Sequence, residues 1–471
     1  MGVSSKALPS NGAGEGNEGY VCVLGDPAAG RRGPIFHKRI HRPNVSSRIT
    51  LFSDPVHGFV SVPRGELFQL IGTPEMQRLR RIRQLGVGYM VFPGAEHSRF
   101  GHALGAMALM REALKTLEDK GTDLSPEEWF ASSAVALLHD IGHGPFSHTL
   151  EDVLIPGFEH ETMSRQLIVG MNERMGGSLG LALQIFDGDY HRPFLHELIS
   201  SQLDMDRLDY LRRDSYYTGV VEGRVGVGRI VKSLRVTAEQ ELAVEHKGRY
   251  AVESFLIARR LMYWQVYLHK TVVSGDQVLA ACLRRARDLI RDHNQPAPLN
   301  LAAPPLRIFL AEDLSTADIA RAEVHAAYAA LDDADILYSL KQWRDAGDPI
   351  LADLASRFLD RRFFRTEVLR KMPGDDVLGT WRERVQTWLT ESGLSTDPEA
   401  DCRYYCQAGW LRHRAYDRKR APIRVRPGSG PALELTEAAD SSAIASLAQE
   451  ESKAFVCGPK EVPFSTGQTR A

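Results

Sequence analysis

The stretch His139-Asp140-Ile141-Gly142-His143-Gly144-Pro145-Phe146-Ser147-His148, with Glu151 three residues on, decides how this chain is read. Ahead of it, Ser125-Pro126-Glu127-Glu128 combines an N-cap, a first-turn proline and a capping-box glutamate. A helix is therefore predicted from there toward Ile141, ended by Gly142, Gly144 and Pro145. His139 and Asp140 then sit about 100° apart on that helix, so both can lean on one ion at its edge. Imidazole plus carboxylate is a ligand set for manganese, iron, nickel or zinc and needs no thiolate. Taken alone, the pair can also be read as histidines favoured by the dipole at a helix C-terminus. The neighbourhood argues for the ion. Six of the 16 histidines fall in the 64 residues from His97 to His160, where a uniform scatter would put about two.

Two further clusters flank this one. Upstream, Gly94-Ala95-Glu96-His97-Ser98-Arg99-Phe100-Gly101-His102 leads into a predicted helix on which Leu104, Met107, Met110, Leu114 and Leu117 share a face, with His102 opening it. Downstream, Asp204-Met205-Asp206-Arg207-Leu208-Asp209-Tyr210 places Asp206, Tyr210 and Asp214 at i, i+4 and i+8, with Arg207 beside them. A surface face or a lined pocket both fit that pattern. Farther on, Val252 to Val273 is predicted as one long helix on which Arg259, Tyr263, Tyr267 and Lys270 share a face. A snorkelling basic-aromatic surface is the alternative there.

Around these clusters, 471 residues with 43% apolar and 25% charged side chains exclude a wholly disordered chain, a collagen-like repeat and a disulfide mini-scaffold. Lys+Arg 58 against Asp+Glu 60 gives a formal charge of −2, so no global field steers the chain to nucleic acid or acidic membranes. Five scattered cysteines (Cys22, Cys282, Cys402, Cys406, Cys457) suit a reducing compartment. With no long apolar run, signal peptide or myristoylation pattern, a cytoplasmic protein without a membrane span is expected. Residues 1–46, with eight glycines and four prolines, read as a disordered tail. Within them Gly25 to Arg32 mimics a phosphate loop but lacks its Lys-Ser/Thr. Ile49 to Val62 reads as two short strands around a turn. A core over 47–295, a linker at Asn294 to Pro305, a mixed region over 306–430 and a second disordered tail over 431–471 complete the expected layout. Cys402 and Cys406 have no second pair, so zinc is not expected there. Arg403 to Arg426 carries eight Lys/Arg to one acid among four aromatics. That stretch fits an oligomer or nucleotide surface, a solvated face or, less readily, single-stranded nucleic acid.

Together, His102, His139-Asp140 and Asp206 are similar to the H…HD…D metal signature of the HD-domain phosphohydrolase superfamily. Asp54-Pro-Val-His-Gly58, Thr73-Pro-Glu-Met-Gln-Arg-Leu-Arg80, Gln84-Leu-Gly86, Val91-Phe-Pro-Gly-Ala95, the 139–148 stretch and Asp204 to Tyr210 resemble the HD-domain deoxynucleotide triphosphohydrolases. Among these they are similar to the sterile-alpha-motif/HD-domain enzymes and their bacterial relatives. The likeness is dense over about residues 50–275 and thins beyond 300; no sterile-alpha-motif domain is expected ahead of it.

The resemblance implies a mainly α fold, an HD helical core with a smaller mixed α/β C-terminal region. It implies a divalent metal (manganese, iron, magnesium or zinc) on His102, His139, Asp140 and Asp206. His143, His148, Glu151 and His160 match the catalytic group, with His148 protonating the leaving 5′ oxygen and Glu151 standing where relatives have aspartate. Arg99 and Arg207 would grip phosphates, the latter in place of a lysine. Arg259, Tyr267 and Lys270 fall at the triphosphate and sugar, Gln84 and Asp214 at the 3′ hydroxyl, Leu85 and Tyr267 against the 2′ position, and Tyr210 in the pocket wall. Gln77, Arg80, Val91 and Phe92 match an activator-nucleotide site between subunits, where Gly72 replaces a guanine-reading aspartate. The implied reaction is hydrolysis of a dNTP to deoxynucleoside and inorganic triphosphate by a homo-oligomer, dimer or tetramer. Another HD phosphodiesterase or nucleotidase reaction, or a non-catalytic nucleotide sensor, are the alternatives.

Overall fold

The capping box at Ser125 forms as the sequence predicts: the Glu128 N–H donates to Ser125 Oγ at 3.2 Å, and the Ser125 N–H donates to Glu128 Oε2 at 2.9 Å. The helix it starts, Pro126–Leu138, packs along Arg99–Asp119, and Met205–Thr218 packs on the same long helix. This is a computed structural model, describing residues 48–291, 295–428, 430–440 and 443–465. Leu104, Met107, Met110, Leu114 and Leu117 are all buried, so the spacing of three and four does mark the core face. The phosphate-loop mimic and Cys22 lie outside the described residues. The strands Ile49–Asp54 and Gly58–Pro63 pair antiparallel, and no described helix is long and apolar enough to cross a membrane.

Several boundaries differ from the sequence reading. The capped helix stops at Leu138, which leaves His139 and Asp140 on its terminal turn. The Arg99 helix begins three residues before His102. The long helix expected from Val252 to Val273 is two helices, Arg249–Met262 and Lys270–Arg291, joined through a π-helical turn at Tyr263–Tyr267. That wide turn places Tyr263 against the His413 ring, with centroids 3.7 Å apart, and lets the Tyr267 hydroxyl donate to Asp214 at 2.7 Å. Arg259, Tyr263, Tyr267 and Lys270 therefore do not form one regular helical stripe.

The expected linker is packed structure as well. Ala297–Leu301 is a short helix, Pro304–Leu306 a tight turn, and Ala302, Ala303 and Leu306 are buried. Prolines here open helices, where their missing N–H is not needed. Beyond it, Asp333–Trp343 and Pro349–Leu359 lie beside one another, the latter against Lys270–Arg291. The stretch expected as a C-terminal tail contributes Glu451–Gly458, the middle strand between Arg365–Leu369 and Gln407–His413, both antiparallel to it. Its run Ala-Phe-Val-Cys is buried, an apolar signal too short to register against the Gly- and Ser-rich flanks. A second sheet, Leu234–Val236, Leu242–Glu245, Arg424–Arg426 and Leu433–Glu434, draws the basic stretch into the fold. Three of that stretch's arginines, Arg403, Arg414 and Arg424, pair with Asp288, Asp417 and Glu197. The described residues make one compact unit.

This C-terminal region grips the turn that follows His139-Asp140. Arg78, fully buried, donates to the Leu331 carbonyl at 2.8 Å and the Ile141 carbonyl at 3.4 Å, under the ring of Tyr328. The Tyr328 hydroxyl donates to the Gly142 carbonyl at 3.0 Å. Elsewhere, Gly105 lets the Arg99 and Met205 helices approach. A Cβ at Gly105 would stand 2.0 Å from Asp209 Oδ1 and 2.4 Å from Arg213 Nη2. Gly105→Ala is expected to destabilise the fold by about 1–3 kcal/mol or more through overpacking, read as a lower urea midpoint at unchanged m.

Candidate active site

The crossing of three helices brings His102, His139, Asp140 and Asp206 together. His102 Nε2 stands 3.1 Å from Asp206 Oδ1 and 3.6 Å from Asp140 Oδ2. His139 Nε2 stands 3.4 Å from Asp140 Oδ1 and 3.5 Å from Asp206 Oδ1. Each ring has its other nitrogen committed. His102 Nδ1–H donates to Asp209 Oδ2 at 2.7 Å, and His139 Nδ1–H donates to the Ala136 carbonyl at 2.9 Å. Both Nε2 atoms are buried without a hydrogen-bond partner. Two orphaned imidazole lone pairs gathered with the Asp206 carboxylate are a donor set for a divalent cation, so His102, His139 and Asp206 fit one, with Asp140 beside them.

Behind His102 lies a layer that the sequence reading passed over. Asp209 also accepts from His57 Nε2 and, at 2.8 Å, from Arg213 Nε, while Arg213 Nη1 reaches Asp54 Oδ2 at 2.8 Å. Asp209, Arg213 and Asp54 are all buried. The signal for them was present as i, i+4 spacing of Asp209 and Arg213 on one helix, but such pairs usually face solvent.

Next to this nest stands a second one. The short helix His148–Leu154 carries Glu151, whose Oε1 accepts from His143 Nδ1 at 3.0 Å and His160 Nδ1 at 3.3 Å. Its Oε2 accepts from His148 Nδ1 at 3.1 Å. The three imidazoles hold the Glu151 carboxyl well below the usual range against the opposing effect of burial. Burial, followed by the charges of Arg99 and His160, pulls His143 down to about 3, so its ring stays neutral. His143 and His160 stack at 3.6 Å, whereas His148 is 71% exposed at its side chain.

His148 borders a cleft of roughly 460 Å³ lined also by Gln84, Leu85, Tyr267, Asp276 and Gln277. Tyr267 and His97 both bond Asp214, each at 2.7 Å, and Tyr210 packs edge-on to Tyr267 and His102. Gln84 Oε1 has no partner. Asp276 accepts from the Thr149 hydroxyl at 2.8 Å, and burial pushes its carboxyl up to about 7 against that bond. A smaller hollow of roughly 250 Å³ is lined by His139, Asp140, His160, Asp206 and Arg207. Arg207 pairs with Asp204 through Nη1 and leaves Nε without a partner.

Other expected residues sit differently. Arg99 is buried and engaged, donating to Asp140 and to Ser147 Oγ at 2.9 Å. Arg259 is 7% exposed and donates to Gln202 Oε1 at 2.9 Å and the Ala415 carbonyl at 3.1 Å. Lys270 is exposed. Gln77 donates to the Ile71 carbonyl and accepts from Arg80, which lies over Phe100; Phe92 packs edge-on to His269, and Val91 is half-buried nearby in sequence.

Compared with known proteins, the chain matches the HD domain over residues 99–212 and the HD associated region over 225–299. The uncharacterized protein YwfO of Bacillus subtilis is 37% identical over 400 residues, 82% of this chain and 87% of that protein. The deoxynucleoside triphosphate triphosphohydrolase SAMHD1 of Homo sapiens is 28% identical over 283 residues, 51% of this chain, and the alignment spans 45% of the human enzyme's length. Among solved structures, a phosphohydrolase from Bacteroides thetaiotaomicron superposes with a TM-score of 0.82 at 39% identity, covering 88% of this chain and 100% of that one. A hypothetical protein from Aquifex aeolicus gives a TM-score of 0.63 at 25% identity over 88% of this chain and 97% of that one. Likeness of this depth over nearly the whole chain, running through the helices that bear His102, His139, Asp140 and Asp206, makes it a member of the HD-domain phosphohydrolase family.

Proposed function

We propose that the chain hydrolyses deoxynucleoside triphosphates to deoxynucleoside and inorganic triphosphate, using a divalent cation held by His102, His139, Asp140 and Asp206. One observation carries this reading: two buried, unpartnered imidazole nitrogens face Asp206 and Asp140 beside a Glu151–His148 pair that borders a nucleotide-sized cleft. The 28% identical human enzyme, named for that reaction, supports the choice of substrate. When bound, the cation supplies Lewis-acid charge for the phosphate and for the attacking water.

The chain's own residues do the rest. Asp209 and the Ala136 carbonyl fix the tautomers of His102 and His139, so each offers Nε2. Arg99 balances and aims Asp140. Glu151 holds His148 through Nδ1, which leaves Nε2 to protonate the departing 5′ oxygen, and His143 and His160 brace Glu151 from behind. Arg207, with Lys270 and Arg259, meets the triphosphate. Gln84 and Asp214 take the 3′ hydroxyl, while Leu85 and Tyr267 close the 2′ side and Tyr210 backs the ring of Tyr267. Gln77, Arg80, Val91 and Phe92 form the contact for an activating nucleotide between subunits of a homo-oligomer.

Asp140→Ala is expected to lose bound metal, measured by elemental analysis, and to abolish turnover with the far-UV spectrum unchanged. Wild-type activity in that variant would show the centre to be misassigned. In His148→Ala, kcat should fall by about 10²–10⁴-fold while nucleotide binding survives; loss of affinity with kcat intact would remove His148 from the chemistry. A ribose would set its 2′ hydroxyl against Leu85 and the Tyr267 ring without a partner, so dATP should be turned over well ahead of ATP, and Tyr267→Ala should narrow the gap. Equal wild-type rates on the two would contradict that pocket. At the activator contact, Gly72 offers no side chain to read guanine. Turnover of a single dNTP should therefore not depend on GTP, and an enzyme silent until GTP is added would refute this.

A further inference from the structure

Immediately before His148 the backbone does something side chains resist. Phe146 and Ser147 are consecutive non-glycine residues with φ of 54° and 53°, and Ser147 has ψ of −135°, a combination that glycine alone adopts readily. Such a conformation persists only where surrounding contacts impose it.

The contacts that impose it converge on one side chain from far down the sequence. Asp333, fully buried at the start of the helix Asp333–Trp343, accepts the Phe146 N–H on Oδ1 at 2.9 Å. Its Oδ2 accepts the Arg83 N–H at 3.0 Å. Arg83 is tied to the same turn a second time, since its carbonyl accepts from Ser147 Oγ at 3.3 Å. The Phe146 carbonyl lies so close to Gly86 that a Cβ there would stand 2.7 Å from it. Both walls that meet at Asp333 border the cleft: Gln84 and Leu85 follow Arg83, and His148 follows Ser147.

We propose that Asp333 is a positioning residue, whose two carboxylate oxygens join the Arg83–Leu85 wall to the Phe146–Ser147 turn and so set His148 at a fixed place relative to the sugar-side wall. The proposal rests on His148 being the proton donor. Asp333 lies outside both matched family regions, which end at residues 212 and 299. Removing the carboxylate frees two buried N–H groups and lets the turn relax toward ordinary φ. His148 then swings away, while His102 and His139 keep their own tethers, Asp209 and the Ala136 carbonyl, on other elements.

The experiment measures kcat and KM on one dNTP with manganese for wild type, Asp333→Asn, Asp333→Ala and His148→Ala, and for Asp333→Ala combined with His148→Ala. Asp333→Ala should lower kcat by about 10–100-fold, the scale of a misplacement near 1 Å, with KM and bound metal within about threefold of wild type. Asp333→Asn keeps an acceptor for Phe146 but turns its amide toward Arg83, so it should recover part of that loss. The double variant should be no slower than His148→Ala, because a device acting through that ring has nothing left to position. Unchanged kcat in Asp333→Ala, a loss confined to KM, or losses that multiply in the double variant would each overturn the proposal. Should Asp333→Ala fail to melt cooperatively, Asp333→Asn alone carries the test, and wild-type kcat in it overturns the proposal. His148→Ala at the wild-type rate sinks the donor assignment itself, a result none of the Asp333 outcomes can imitate.

Discussion

Asp209 is the group on which the site depends. A neutral imidazole binds a cation through one nitrogen only if something holds a proton on the other, and here a buried carboxylate does so for His102. Burying a charge of that kind is costly unless it is matched, and Arg213 matches it from one turn along the same helix, with His57 on its other oxygen. Arg213 in turn reaches Asp54 on the N-terminal hairpin, so Asp54-Pro-Val-His-Gly58 is tied through Asp54 and His57 to the carboxylate behind His102. The absence of a side chain at Gly105 belongs to the same arrangement, since the network occupies the space a methyl group would need.

A second dependence runs in the opposite direction along the chain. The turn after His139-Asp140 satisfies some of its polar groups internally, as in His143 N–H to the Asp140 carbonyl and Ser147 N–H to the Gly144 carbonyl, and sends others outside. Its Ile141 carbonyl goes to Arg78, its Gly142 carbonyl to Tyr328 and its Phe146 N–H to Asp333. Two of those three partners come from beyond residue 300. The nest is thus a joint product of the matched HD region and of the C-terminal part, which lies beyond both matched family regions.

How much of this could be read in advance follows from the physics of each signal. The capping box at Ser125 and the apolar face from Leu104 to Leu117 are local patterns, and both form, although the helix ends at Leu138 and Arg99 lie three residues from where the sequence puts them. His102, His139, Asp140 and Asp206 were legible because metal ligation needs specific residue types in a recognisable order, and the helices do bring them together. The π-helical turn at Tyr263–Tyr267 was invisible, since its cause is a stacking partner, His413, and a carboxylate, Asp214, neither of them adjacent in sequence. Arg99 and Arg259 read in the sequence as phosphate ligands, and what the sequence does not show is the protein partner each also has, Asp140 for Arg99 and Gln202 for Arg259. The strand Glu451–Gly458 was missed because a short apolar run counts for little until partners on both sides are known.

That strand has a consequence for how the molecule comes into being. Arg365–Leu369 and Gln407–His413 are joined by pairing to Glu451–Gly458 and not directly to each other. During synthesis both must wait, each with an unpaired edge, until residues 451–458 have left the ribosome. His413 sits at the end of one of them and stacks on Tyr263, so the π-helical turn and the tyrosines it aims are completed late as well. Closing such long loops is slow in proportion to the contacts that must be brought together from afar. A nascent chain truncated before residue 451 would present two sticky strand edges, so the pairing that seats His413 against Tyr263 also closes an aggregation-prone surface.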